Sequence, residues 1–211
     1  MRRFFGKMCF GVSAWCLAAA MCVCGASAAE TPSQRLRATV DQVLLVLQEP
    51  EYRNPATRAP LRAKIERQVR TVFDFEEFSA RTVGKSWPSF TAEQKKRFDD
   101  AFAELLLVTY LDKIQGYNGE QVMYTGEVLS SRGDRAEVQT IVTLSDGKKV
   151  PVAYRMMLKN GQWVVYDVLI ENVSLIKNYR SQFQDVLTRG TPEQLIERVV
   201  ARTNELRAQE G

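Results

Sequence analysis

Residues 149–170 read KVPVAYRMMLKNGQWVVYDVLI, two runs of β-branched, aromatic and apolar residues divided by Asn160-Gly161. Asn-Gly between such runs is a strong hairpin signal, because a two-residue turn of matching twist needs positive φ at both positions. The same grammar extends N-terminally. Glu120 to Ser131 and Arg135 to Leu144 are again β-prone, and Gly133-Asp134 and Asp146-Gly147 supply the turns. Glu120–Ser131, Arg135–Leu144, Lys149–Leu158 and Gln162–Ile170 therefore predict four antiparallel strands in a meander.

On both sides of this block the apolar period becomes helical. Leu36, Val40, Val43, Leu44 and Leu47 share one face of a first helix, with Ser33 as its expected N-cap. Gln48 to Arg58, with Pro50, Asn54 and Pro55, reads as a polar loop, and Pro60 as the start of a second helix carrying Leu61, Ile65, Val69 and Phe73. Arg62, Lys64, Arg67 and Arg70 crowd that face, either as a solvated surface or as a docking patch for an acidic partner or lipid headgroups. Asp74-Phe75-Glu76-Glu77 has capping-box spacing for a short helix ending near Gly84. Thr91 and Gln94 open a long helix to about Ile114, bearing Phe98, Phe102, Leu105, Leu106 and Tyr110, with Gly116 and Gly119 beyond it. From Asn172 the helical period returns through Ile176, Tyr179 and Phe183. Thr191-Pro192-Glu193-Gln194 caps a last helix bearing Leu195, Val199 and Leu206. Helices, then strands, then helices is an α+β order.

The first thirty residues concern destination. Arg2, Arg3 and Lys7 precede an apolar run from Met8 to Cys24, and Ala26-Ser27-Ala28 is a small-residue cleavage site. That order is a secretory signal peptide, and the run is short against the roughly 20 residues of a membrane span. A lipoprotein anchor at Cys22 or Cys24 is the competing reading, disfavoured by the bulky Met21 and Val23 before them. Removing 28 residues from 211 leaves 183, enough for one full core. We expect residues 29–211 to form one domain. All 4 cysteines (Cys9, Cys16, Cys22 and Cys24) leave with the signal, so packing alone must hold the exported chain. Basic residues drop from 29 to 26 against 25 acids, a net +1 that gives no electrostatic case for nucleic acid.

The chain has 0 histidines, which rules out a Ser-His-Asp triad, a Cys-His pair and the usual zinc ligand sets. Neither a catalytic residue, a metal site nor a cofactor is expected. A carboxylate base is still open: Asp167 lies between Tyr166 and Val168, where an apolar setting raises a pKa. The alternative is an ion pair with a neighbour such as Arg155, or exposure to solvent. The middle of the chain also holds many large, adaptable apolar side chains, a stock that fits a core or a ligand cavity.

Several ordered motifs point to a family. They are Phe73-Asp74-Phe75-Glu76-Glu77-Phe78, Val83-Gly84-Lys85-Ser86-Trp87, and Thr91-Ala92-Glu93-Gln94-Lys95 with Phe98 and Phe102. The most telling is Trp163-Val164-Val165-Tyr166-Asp167-Val168 leading to Val173-Ser174-Leu175-Ile176-Lys177-Asn178-Tyr179-Arg180-Ser181-Gln182-Phe183. With these motifs the chain resembles the MlaC (toluene-tolerance) family from about Leu36 to Leu206. The resemblance implies a curved antiparallel sheet backed by helices around a deep apolar pocket. It also implies a periplasmic phospholipid carrier, working as a monomer between an outer-membrane lipoprotein complex and an inner-membrane ABC transporter complex. Phospholipid would be cargo and not a cofactor. An isomerase-like enzyme using Asp167 and a ligand-free periplasmic adaptor are the alternatives.

Strict alternation on the last strand sets Trp163, Val165, Asp167 and Leu169 on one face and Val164, Tyr166, Val168 and Ile170 on the other. With Asp167 turned outward, Tyr166 and Val168 are expected on the lipid side. Phe75, Phe78, Phe102, Leu106, Tyr110, Tyr154 and Met156 are expected to join them. The export reading has its own check. The intact mass of protein recovered from the periplasm should correspond to a chain beginning at Ala29 or one residue later, without lipid. An N-terminus at Cys22 or Cys24, or a diacylated mass, contradicts it.

Overall fold

A computed structural model describes residues 30–111, 121–144 and 146–209. The expected signal segment 1–28 lies outside the described residues, as do Ile114, Gly116 and Gly119 at the expected end of the long helix.

The meander forms as the turn residues dictate. β1 (Gln121–Leu129), β2 (Arg135–Thr143), β3 (Lys149–Lys159) and β4 (Gln162–Ile170) pair in that order, each antiparallel to its neighbour. Asn160 and Gly161 both take positive φ, 53° and 78°, as a two-residue turn of this hand requires. The sheet has five strands rather than the expected four. Val173–Ser174 turns back as β5 and pairs with Leu169 and Ile170. Glu171 and Asn172, at φ 50° and 65°, reverse the chain there, and two non-glycine residues in the left-handed region give no warning in an apolar period.

One expectation about β4 is overturned. Arg155 pairs with Asp167 but Met156 pairs with Val165, so β4 carries an extra residue at Tyr166. A bulge of this kind reverses the parity of everything beyond it. Trp163 and Val165 therefore share the core face with Val168, and the expected alternation through Tyr166 fails. β1 has a second irregularity between Tyr124 and Gly126. Both bend the sheet.

Among the described residues seven α-helices accompany it: α1 (Pro32–Leu47), α2 (Pro50–Arg53), α3 (Pro55–Val72), α4 (Phe75–Val83), α5 (Ala92–Leu111), α6 (Leu175–Leu187) and α7 (Pro192–Ala208). The caps at Asp74, Thr91 and Thr191 form as expected, each side chain accepting from the backbone N–H three residues on. Thr31, not Ser33, caps α1. The loop expected over 48–58 instead holds α2 and the start of α3, where the Asn54 side chain accepts from the Ala56 N–H. Pro60 thus sits inside α3 rather than at its head.

α5 is the central element. Phe98, Phe102 and Ala103 are fully buried in the main core, and Leu107, toward its other side, joins a smaller cluster with Tyr52, Ile65, Val46 and Leu47 of the α1–α3 layer. A helix apolar on so many sides is an interior helix. The outer edge of β4 is covered by β5 and by the 73–74 segment, whose Asp74 N–H donates to the Val165 carbonyl at 2.9 Å. Covered edges of this kind do not template further pairing.

Between α4 and α5, Asp99 lies beside the fully buried Ser79. Burial pushes its carboxyl up from 3.8 to about 6; Glu76, Asp100 and Asp74 add to the rise and Ser79 opposes it. The folded state therefore binds this proton more tightly than the unfolded chain does. Its contribution to stability is present at low pH and is lost as pH climbs from about 4 to about 6. Asp99→Asn should raise the melting temperature at pH 7.5 and change it little at pH 4. A variant that melts lower than wild type at pH 7.5 contradicts this.

Candidate functional site

α6 and α7 follow one another closely and both turn apolar stripes toward α5. On α6 the stripe is Ile176, Tyr179 and Phe183; on α7 it is Leu195, Val199 and Thr203, the last donating its hydroxyl to the Val199 carbonyl. The α6 stripe meets α5 ring to ring. Phe102 lies 5.0 Å from Tyr179 and 5.2 Å from Phe183 between centroids, both edge-on, and Phe98 lies 5.6 Å from Phe183. Such geometry adds about 0.5–1.5 kcal/mol per pair beyond area burial.

The three helices do not close completely. A cavity of about 600 Å³ remains between the C-terminal half of α5, α6 and α7. Leu105, Val108, Phe183, Val186, Leu195, Val199 and Leu206 give it an apolar floor and walls. Thr109, Tyr110 and Tyr179 add hydroxyls inside it, while Asn178, Gln182, Arg198 and Arg202 also line it. Burial raises the Tyr110 phenol well above its ordinary value, and the adjacent Tyr179 raises it further. Tyr179 is also raised by burial, with Thr109, Tyr110 and Arg202 holding it back. Both rings stay neutral at any physiological pH and act as hydrogen-bonding groups only. The arrangement suits an apolar ligand with a polar end.

The residues expected to meet the ligand fall in three places. Tyr110 lines the cavity. Phe75, Phe78, Phe102, Leu106, Met156 and Val168 are buried in the main core, with Phe102 directly behind Tyr179 and Phe183, and Phe78 5.7 Å behind Phe102. Tyr154 shares the core face with Met156 but stays partly open, its phenol pushed up to about 12 by burial. Tyr166, the extra residue of the bulge, is half-buried against the edge of the main core, with Arg81 at 4.5 Å and Arg135 at 5.5 Å from its ring centre. Sequence reading missed Tyr179, Phe183, Leu195 and Val199 as cavity residues, although their helical spacing was visible. Their stripes read as ordinary core faces.

Asp167 is nearly buried, at 3% exposure, and both its oxygens are engaged. Oδ2 accepts from the Ser174 hydroxyl at 2.7 Å and from Arg155 at 3.4 Å; Oδ1 accepts from the Ile176 N–H at 3.2 Å. Arg155 is shared with Glu137 at 3.3 Å. The carboxylate fastens the first turn of α6 to the sheet, favourable at a helix N-terminus, and the ion pair read from the sequence as the alternative to a base is present. Among the described residues, no group of three or more acids, cysteines or histidines has metal-binding geometry, and no helix is long and apolar enough to cross a membrane.

Truncation at this site should be costly. Asp167→Ala should lower unfolding free energy by about 2–3 kcal/mol, because it strands donors that expect a charged acceptor. Asp167→Asn should cost about 1 kcal/mol. Urea midpoints measure both. A stable Asn variant that loses turnover of a small ketone would instead return Asp167 to general-base chemistry.

Comparison with known proteins supplies a context for this geometry. The family model described as MlaC protein matches residues 37–201. The chain is 30% identical over 100 residues to the toluene tolerance protein ttg2D of Pseudomonas putida, a match covering 47% of this chain and 46% of that one. It is 21% identical over 154 residues to the intermembrane phospholipid transport system binding protein MlaC of Haemophilus influenzae, covering 72% of this chain and 68% of that one. Thus the match spans about half of the first relative and two thirds of the second. The fold is similar to that of a phospholipid-binding protein from Ralstonia solanacearum, solved in complex with a phospholipid. The TM-score is 0.74 at 24% identity, over 82% of this chain and 96% of that one.

Proposed function

The chain belongs to the MlaC family, and on that premise we propose that it is an exported phospholipid carrier. It takes lipid through the periplasm between an outer-membrane lipoprotein complex and an inner-membrane ABC transporter complex, as a monomer. The observation that carries the reading is the apolar cavity of about 600 Å³ between α5, α6 and α7, open at a polar rim. The names of the Haemophilus influenzae relative, a binding protein of a phospholipid transport system, and of the Ralstonia solanacearum phospholipid-binding protein support the same cargo.

The physical requirement is severe. Exposed acyl chain costs about 0.8 kcal/mol per CH₂, so two ordinary tails left in water cost roughly 20 kcal/mol or more. A carrier must bury nearly all of both, which needs space near or beyond the upper end of the ~300–1,000 Å³ range of small-molecule sites. A cavity of about 600 Å³ is short of that, so loading must move a helix. α7 is the element to move. Its ends are fixed to α5 by Arg97–Glu193 at 2.6 Å and by Arg207–Glu104, exposed pairs of a kind worth only about 0–1 kcal/mol each. α6, by contrast, is fastened by Asp167 and by the Gln184 side chain, which donates to the Val83 carbonyl at 2.8 Å. In the loaded state Tyr110 and Tyr154 meet the chains. Phe75, Phe78, Phe102, Leu106, Met156 and Val168 form the wall behind.

The isomerase-like reading has weaker support, since Asp167 is occupied on both oxygens. Organic extraction of protein purified from its native host, followed by mass spectrometry, tests the proposal. Phospholipid at about one per chain is expected; an extract without phospholipid contradicts it. A pair of substitutions locates the site. Val186→Trp, filling the cavity, should fold with a melting temperature near wild type and copurify with less phospholipid. Val168→Trp, in the packed core, should lose about 1–3 kcal/mol by overpacking. If Val186→Trp keeps its full lipid load, the chains lie elsewhere.

A further inference from the structure

Beyond the apolar cavity, a second open groove of about 830 Å³ runs between α6 and α7. The two spaces share Val186, Arg198 and Arg202, so they form one path from apolar to charged surface. Arg198 and Arg202 are four residues apart on α7 and project from one face. Arg202 contacts Glu205 at 3.0 Å, whereas Arg198 has no ion pair among the described residues. Farther along, the groove is lined by Arg189 and by the carboxylates Asp185 and Glu197, while Glu205 stays with Arg202. Three cations and three carboxylates thus line it, with the two arginines at its apolar end.

We propose that this mouth recognises the headgroup of a zwitterionic glycerophospholipid, with Arg198 and Arg202 on the phosphodiester and the groove carboxylates on the amine. The proposal rests on the carrier reading and adds the headgroup class. Charge order decides between headgroups. A neutral diacylglycerol leaves Arg198 unmatched at the cavity's edge. A purely anionic headgroup satisfies the arginines but brings no cation to Asp185 and Glu197. A phosphoethanolamine satisfies both, because its phosphate lies next to the glycerol and its amine beyond. Arginine is the apt residue for the first contact, since its planar fork binds two phosphate oxygens at once.

Calorimetric titration of delipidated protein with soluble short-chain lipids tests this. The probes are dihexanoylphosphatidylethanolamine, dihexanoylphosphatidylglycerol, dihexanoylglycerol and chain-free glycerophosphoethanolamine. The ethanolamine lipid should bind about tenfold tighter than the diacylglycerol and about threefold tighter than the glycerol phospholipid, the scale of a charge-assisted contact at a wet rim. Arg198→Gln with Arg202→Gln should collapse the first ratio toward one. Asp185→Asn with Glu197→Gln should collapse the second and leave the first largely standing. Equal affinity of the wild type for the three lipids, or ratios unmoved in the variants, overturns the headgroup site and spares the carrier reading. Tight binding of glycerophosphoethanolamine alone overturns it in favour of a site for a free solute. Failure of all three lipids to bind overturns both readings together.

Discussion

Ring contact between α5 and α6 is the interaction on which the rest of the structure depends. Phe98 and Phe102 are fully buried and meet Tyr179 and Phe183 within 5.6 Å, joining the central helix to the C-terminal pair. The same rings have a second consequence. Because Tyr179 and Phe183 present their other edges to the space beneath α7, the wall of the core is also the wall of the cavity. Under the proposed function, an acyl chain entering there would exchange water for aromatic and aliphatic surface.

Two neighbouring helices are fastened in different ways. α6 begins at a buried carboxylate that holds a hydroxyl, a backbone N–H and a guanidinium, so its first turn is registered to β4. α7 is tied to α5 by surface ion pairs and by packing alone. High salt weakens pairs of the second kind and hardly touches the first. Under the proposed carrier function such a difference has a use, since one wall would keep its shape while the other yields.

Most of the fold was legible in the sequence because its signals are local. Asn160-Gly161 fixes a hairpin by backbone conformation, and Thr91, Asp74 and Thr191 announce helix starts through the hydrogen bonds their side chains make. What escaped depends on non-local geometry. The bulge at Tyr166 is one extra residue against the partner strand, and an apolar run such as Val164-Val165-Tyr166 looks the same with or without it. That single residue put Val168 on the same core face as Trp163 and Val165, where strict alternation sets them on opposite faces. β5 was hidden in the same way by a reversal at Glu171-Asn172. The cavity was illegible for a different reason. Tyr179, Phe183, Leu195 and Val199 have the spacing of any buried face, and whether two such faces meet fully or leave a gap is set by side-chain volumes across helices distant in sequence.

A crystal structure of the protein carrying lipid from its native host is the most direct measurement. Acyl chain should lie between α5, α6 and α7, against Tyr110, Tyr179 and Phe183, with α7 displaced outward and the first turn of α6 unmoved on Asp167. Chain density on another surface, with α7 still closed on α5, would contradict a cargo site built from these helices.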